Sequence, residues 1–389
     1  MLFEAIRHVS SSLLPAGLRS GGSLELERCW PLNDSHLLLE YRDAAGRVLP
    51  GQWRLHSEAL HRQAAGSANP PLLITVPTQQ TLLLHPGGTD RRLRSLALLL
   101  RSRHSQLLSH RPGKRAIVRW QGQDPPIYCK LFTSQGAWSR AALGYALAFR
   151  HAAGYRAPRL QQLAAQSGCL FLEAVAGTDM HGLLSSASSH QGSARQIGVA
   201  LRHLQAIPPE PGLDLHRAED EAGLLASWVT QVHVYRPDLA LVIAPHLPAV
   251  QAGLAAVADQ PLVLTHRDLH DKQILIAAGE PPGFIDFDTV CLADPTLDLA
   301  NLLAHLELRR FQGVCTAADC QLWRAGILDG YGVSAVPPAL QAYLDSARLR
   351  LACVYAFRPR WQGVVAPLLA RIGLPPAASW GGGIDPWAG

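Results

Sequence analysis

The run Leu264-Thr-His-Arg-Asp-Leu-His-Asp-Lys-Gln-Ile-Leu-Ile276 and, close behind it, Phe284-Ile-Asp-Phe-Asp288 place a dense set of ionisable side chains between short apolar stretches. Short apolar runs of this kind read as buried strands. Charged groups between buried strands are costly unless they are paired or committed to a ligand. This stretch therefore dictates strands that present a polar loop at their ends, where sites are commonly built. Asp268, Gln273 and Asp286 stand out: three oxygen-bearing side chains, Gln273 five residues after Asp268 and Asp286 thirteen residues after Gln273, with Asp286 closing the apolar run Gly-Phe-Ile-Asp.

Of the 35 basic residues only Lys114, Lys130 and Lys272 are lysines. A chain that uses arginine elsewhere keeps lysine where a compact, flexible ammonium is wanted. Lys130 lies in Ile-Tyr-Cys-Lys-Leu-Phe, a run rich in strand formers, and is the candidate for holding phosphate groups from a strand. Lys114 and Gly113 sit in the turn Arg111-Pro-Gly-Lys-Arg115, where Pro followed by Gly is the pair a type II turn favours. The runs 106–111 and 116–120 on either side are expected to form a hairpin, with a third strand at 127–132.

Residues 1–104 read as an N-terminal cap region, with strand-like runs at 24–27, 36–41 and 72–76 separated by turn residues, then a helix expected from Asp90. Residues 105–177 form a β-rich lobe that ends in a hinge at Glu173 to Gly177, after the strand 169–175 and the helix 139–150. Residues 178–374 read as mainly helical, with helices expected at 194–206, 220–232, 245–259, 297–308 and 339–357. Asp294-Pro295 supplies a helix cap. The last fifteen residues, 375–389, with Gly381-Gly-Gly383, read as a loop-like tail.

At 389 residues and 48% hydrophobic, the chain suits two or three core-forming units of a globular enzyme. A net charge of +5 with scattered arginines argues against nucleic acid as partner. The seven cysteines are widely spaced without a Cys-x-x-Cys pair, which argues against a zinc cluster or a disulfide framework. The apolar stretch 239–257 is broken by Pro245, His246, Pro248 and Gln251, so no membrane partner is expected, and the start lacks the core of a signal peptide. A cytoplasmic location follows.

His266-Arg-Asp268-Leu matches the start of the catalytic loop of phosphoryl-transfer enzymes, whose Asp accepts the proton of the attacking hydroxyl. With Lys130 on its strand, the hinge, Gln273, Asp286-Phe-Asp288 and Asp294-Pro-x-x-Asp298-Leu-Ala-Asn301, the region from about 105 to 360 resembles the aminoglycoside phosphotransferase and choline kinase-like family. The resemblance implies an α+β, bilobal, protein-kinase-like fold, here with an extra N-terminal β-rich cap. It implies ATP and Mg2+ in the cleft, Asp268 as catalytic base, and Gln273 and Asp286 as metal ligands, with Asp288 a further candidate. Lys130, with Lys114 and Gly113 of the turn, would hold phosphates, and Glu173 would lie at the hinge beside the nucleotide. His266 and Asp298 would brace the catalytic loop. Gln in place of Asn at 273 is similar to maltose and glucosamine kinases of this group.

Three departures shape the expectation. The helix after Lys130 carries no acidic residue to pair with it, so Asp286 or nucleotide phosphates must take that part. The glycine-rich phosphate loop is missing, leaving the 111–115 turn to cover phosphates with its own amides. Only seven residues lie between Asp286 and Asp294, too few for the activation segment of a protein kinase. The acceptor expected is thus a small molecule with a hydroxyl group, a neutral sugar rather than a polycation, since acids in 178–260 and 305–360 are mixed with arginines. A kinase-like protein that binds a nucleotide or partner without catalysis is the main alternative. A metallohydrolase using His266, Asp268, His270 and Asp271 is a further one. The acceptor's identity, ATP against GTP, the oligomeric state and the role of the cap are left open by the sequence.

Overall fold

The computed structural model describes residues 2–15, 23–65, 71–258 and 260–375. Apart from Pro375, the expected tail lies outside them, as does Asp259. The expected two-lobed α+β arrangement with an additional β-rich cap is the one found.

The cap is a six-stranded antiparallel sheet. Its long strands Leu24–Asn33, His36–Arg42 and Val48–Arg54 form a meander, and Thr81–Leu84 and Leu72–Thr75 extend it. Leu37, Leu39 and Tyr41 alternate onto one buried face, and Leu82 and Leu84 join them. That face does not close on itself. It shares one core with the helical lobe, where Phe3 packs against Phe357 at 5.8 Å between ring centroids and Trp53 meets Tyr235 edge-on at 6.1 Å. The Tyr235 hydroxyl donates to the carbonyl of Asn33 at 2.7 Å, and the Cys29 amide donates to that of Phe357 at 2.9 Å.

The N-lobe is a five-stranded antiparallel sheet with its own small core of Leu93, Leu96, Val118, Leu131 and their neighbours. Ser105–Arg111 and Arg115–Trp120 form the expected hairpin, with Gly113 at φ +70° as a type II turn requires. Ile127–Phe132 carries Lys130, and Cys169–Glu173 leads to the hinge. The helix expected from Asp90 shrinks to one turn, Leu96–Leu99. The cause is Asp90, whose carboxylate accepts from Arg92 N, Gly113 N and His110 and so organises a loop instead of starting a helix.

The helical lobe is built on Gln191–Gln205, Ala218–Tyr235, Thr296–Phe311, Ala317–Tyr331 and Pro338–Ala356. Thr296–Phe311 starts two residues after Asp294, whose Oδ1 accepts from both the amide and the hydroxyl of Thr296 at 2.7 and 2.6 Å. Pro237–Ala255, long and apolar enough by composition to cross a membrane, is two short helices joined at Ala244–His246; Ala240, Ile243, Val250 and Leu254 are buried in the lobe's core.

Candidate active site

The catalytic loop follows the strand Val263–Thr265 and is held from beneath. Asp298, fully buried near the start of Thr296–Phe311, accepts from the backbone amides of His266 at 2.6 Å and Arg267 at 2.7 Å. Burial raises the pKa of Asp298 above the usual carboxylate value, against the pull of these bonds. The His266 ring donates through Nε2 to the carbonyl of Ile285 at 2.8 Å, tying the loop to the strand segment before Asp286. Arg267 sits at φ +69° and Asp286 at φ +71°, left-handed conformations rare for residues with side chains and found where surrounding structure over-determines the backbone. The result is an Asp268 carboxylate that is half-buried and accepts no hydrogen bond among the described residues. It is free to receive one.

Across the cleft, Lys130 donates to both Asp286 and Asp288, the latter at 2.8 Å. Burial alone would lower the Lys130 pKa, but the two carboxylates outweigh it and hold it well above the ordinary lysine value. Burial raises Asp288; for Asp286 it is outweighed by Lys130 and Arg115, which hold that carboxyl low. Asp288 thus takes the place of the acid absent from helix Gln135–Arg150, and its second oxygen accepts from Arg115 at 3.1 Å. With both oxygens bound to cations, Asp288 is an ion-pair partner in this arrangement. The helix reaches this turn because Gly144 has no side chain: a Cβ there would come within 2.4 Å of the Phe287 carbonyl oxygen.

Gln273 donates from Nε2 to Asp286 Oδ2 at 3.2 Å, and a flip of that amide, which interchanges its nitrogen and oxygen, sets its carbonyl beside the carboxylate. An amide oxygen beside a carboxylate oxygen is a donor set that suits a hard divalent cation such as magnesium. Lys130, Gln273 and Asp286 line a cavity of about 420 Å3. Its wall is otherwise mostly apolar, with Leu108, Ile117, Leu172, Leu275 and Ile285, and it includes Glu173 and Gly177 of the hinge. A mostly apolar cavity with a cation and oxygen donors in its wall fits a nucleotide, its base against the apolar side chains and its phosphates against the polar ones.

The hairpin turn is corrected. The Gly113 amide is spent on Asp90 Oδ2 at 2.7 Å, and the Lys114 amide on the Arg111 carbonyl at 3.0 Å. The Lys114 side chain is exposed and does not line the cleft. Arg115, one residue on, is the cation the turn sends inward.

Two groups were not legible as a unit. Asp271 is fully buried and accepts a two-point grip from Arg309 at 2.8 and 3.0 Å and a bond from His181 at 2.6 Å. These partners overcome burial and hold its carboxyl far below the usual range. His270, Asp271 and His305 bring potential ligand atoms within 4.8 Å of one another, but the Arg309 guanidinium on the carboxylate and the His266 ring bonded to Ile285 leave the hydrolase-type metal cluster poorly supplied. The Asp in His-Asp-Lys was the signal for this hub; nothing marked Arg309, 38 residues away.

Residues 119–343 match the sequence model of APH, the phosphotransferase enzyme family. No curated protein matches the sequence. Among solved structures, a choline/ethanolamine kinase family protein from Mesorhizobium loti is 16% identical with TM-score 0.51, covering 73% of this chain and 94% of that one. A thermostable mutant of aminoglycoside phosphotransferase APH(4)-Ia is 14% identical with TM-score 0.50, covering 69% and 92%. Both likenesses are of fold.

Proposed function

The chain belongs to the phosphotransferase enzyme family, and from that premise we propose that it moves the γ-phosphoryl group of ATP, with Mg2+, to a hydroxyl of a small, sugar-like molecule. The observation that carries this reading is the meeting of Lys130, Gln273 and Asp286 in the wall of a mostly apolar cleft. Lys130 binds phosphate oxygens. Asp286 and the Gln273 carbonyl hold the ion, which offsets charge on the phosphates. Asp268, kept free by the anchoring of its neighbours, orients the acceptor hydroxyl and takes its proton. Asp298 and His266 position that loop without touching the reacting atoms.

A polycationic acceptor of the kind named for one structural relative needs carboxylates to replace its hydration. Here Arg267 and Arg350 share the pocket around Asp268 with a single Glu221, whose carboxyl lies low, at about 2, because hydrogen bonds from His216 and Ser346 and the Arg350 charge overcome burial. The rival reading, nucleotide binding without transfer, draws on the full pairing of Lys130 by two acids. ADP release measured with ATP, Mg2+ and a panel of sugars, amino alcohols and antibiotics decides between them. Turnover that vanishes in Asp268→Asn supports transfer, whereas ATP binding with no turnover on any acceptor leaves the binding protein.

A further inference from the structure

A second cavity, of about 400 Å3, lies where the cap meets the helical lobe. Such a volume falls within the roughly 300–1,000 Å3 of small-molecule sites. The cap contributes Arg28, Glu40, Glu27 and Arg42 to its wall, and the catalytic loop contributes His270 and Lys272. Lys272 also lines the nucleotide cleft, so the two spaces share a wall two residues from the Asp268-Leu-His270 segment. Trp30 of the cap is covered by the guanidinium of Arg28 and by that of Arg111 from the hairpin, each 4.6 Å from its ring, which fastens the cap beside the catalytic loop.

The charges in this wall do not balance. Glu40 is gripped by Arg28 at 2.9 and 3.0 Å, Glu27 lies 3.5 Å from Arg42, and Asp271 is taken by Arg309. That leaves Lys272 and Arg358 with no carboxylate partner among the described residues, Arg358 stacked 4.3 Å over Tyr355 and facing the same cavity. Burial lowers the pKa of both, with Arg309 repelling each and Arg28 repelling Arg358. His305, buried in the same wall, has an Nδ1 with no hydrogen-bond partner. A cavity with surplus cations and an unmet polar nitrogen is completed by an anion with polar groups beside it.

We propose that this cavity between cap and helical lobe binds the acidic group, carboxylate or phosphate, of an anionic polyol, so that the cap takes part in choosing the acceptor. The inference rests on the phosphotransferase reading for the word acceptor, and it replaces the neutral sugar expected from sequence with an acidic one. Lys272 and Arg358 meet the acid; the hydroxyls extend toward the catalytic loop.

Calorimetry on the full chain with glucose, gluconate, glucose 6-phosphate and inorganic phosphate tests it without needing turnover. At least one of the two acidic sugars is expected to bind about tenfold or more tightly than glucose, an advantage that shrinks as salt rises. Comparing the two tells carboxylate from phosphate. Arg358→Gln and, because Lys272 is exposed and its loss threatens no packing, Lys272→Gln should each cut the acid's affinity about tenfold with little change for glucose. Equal binding of acid and neutral sugar, no binding by any of the three anions, or an acid affinity unmoved by both substitutions would overturn the proposal. ADP release bears only on the other reading: its failure beside intact acid binding would strike phosphoryl transfer and leave this site standing.

Discussion

The cap and the N-lobe are both antiparallel sheets with polar groups inside, and although the cap also buries Glu40 against Arg28, the two sheets carry different networks. The cap holds a neutral chain: His36 Nε2 donates to Gln52 Oε1 at 3.0 Å, Gln52 Nε2 donates to His85 Nε2 at 2.8 Å, and His85 Nδ1 donates to the Thr89 carbonyl. The N-lobe holds paired charges, its Lys130 and Arg115 against Asp286 and Asp288 of the helical lobe. Neutral networks satisfied end to end serve structure at modest cost. Buried ions cost desolvation that their pairing only partly returns, and a fold retains them where a charged ligand must later be met. The difference separates a scaffold from a working surface.

The severest way to break that contrast is Lys130→Met, which leaves the neighbouring carboxylates of Asp286 and Asp288 with only Arg115 to offset them. It should cost about 3–5 kcal/mol of stability and abolish ATP binding, read by denaturant unfolding and by calorimetry. Asp288→Asn in the same chain should recover part of the stability but none of the binding. A lone Lys130→Met variant as stable as the parent would show that the pairing is idle.

Asp268→Asn touches a carboxylate that is paired with nothing. We expect turnover to fall by about 100-fold or more with stability and ATP-Mg2+ affinity nearly unchanged. Activity within tenfold of the parent would remove Asp268 from the role of base.

The neutral network gives a pH prediction. Burial first, and then Arg54 for His36, lower both His36 and His85 to about 4 from an ordinary value near 6.5. The folded cap therefore keeps them neutral while the unfolded chain takes up protons below about pH 6.5. Their contribution is complete above that pH and is lost as pH falls from about 6.5 to about 4, on the order of 3 kcal/mol for each histidine. Thermal melts in which replacing both titrating groups, His36→Gln with His85→Gln, flattens this acid limb would agree. A stability constant from pH 7 to 4 would not.

Gln273→Asn should have the smallest effect, retaining activity within about tenfold, because an amide carbonyl remains for the ion, set back by a methylene. Gln273→Leu removes it, and full turnover in that variant would shift the second metal contact to another residue.

The elements that local pattern could reveal were visible in the chain. The hairpin followed from Pro112-Gly113, the strand of Lys130 from its β-forming neighbours, and the helix Thr296–Phe311 from Asp294-Pro295 and the apolar run behind it. The helix expected from Asp90 failed because leucine spacing reports an apolar face and not the side-chain bonds that compete for the backbone. The sequence also pointed to a phosphate-covering turn at Gly113, and the reason it was misleading lies in Asp90, 23 residues earlier, whose carboxylate occupies that amide. Lys130 could be chosen from its rarity, yet its partners lie 156 and 158 residues away.

By itself the chain determined which side chains share this loop, His266, Asp268 and Gln273, and the order of its elements, because these depend on neighbours, and strands and helices announce themselves by period. Tertiary structure alone decided which acid neutralises Lys130, that Arg115 and not Lys114 enters the cleft, that Arg309 grips Asp271, and that the cap joins the core of the helical lobe through Phe3, Phe357 and Tyr235. Burial and ion pairing are functions of distance through space in a medium of low dielectric, and spacing along the chain carries no measure of that distance.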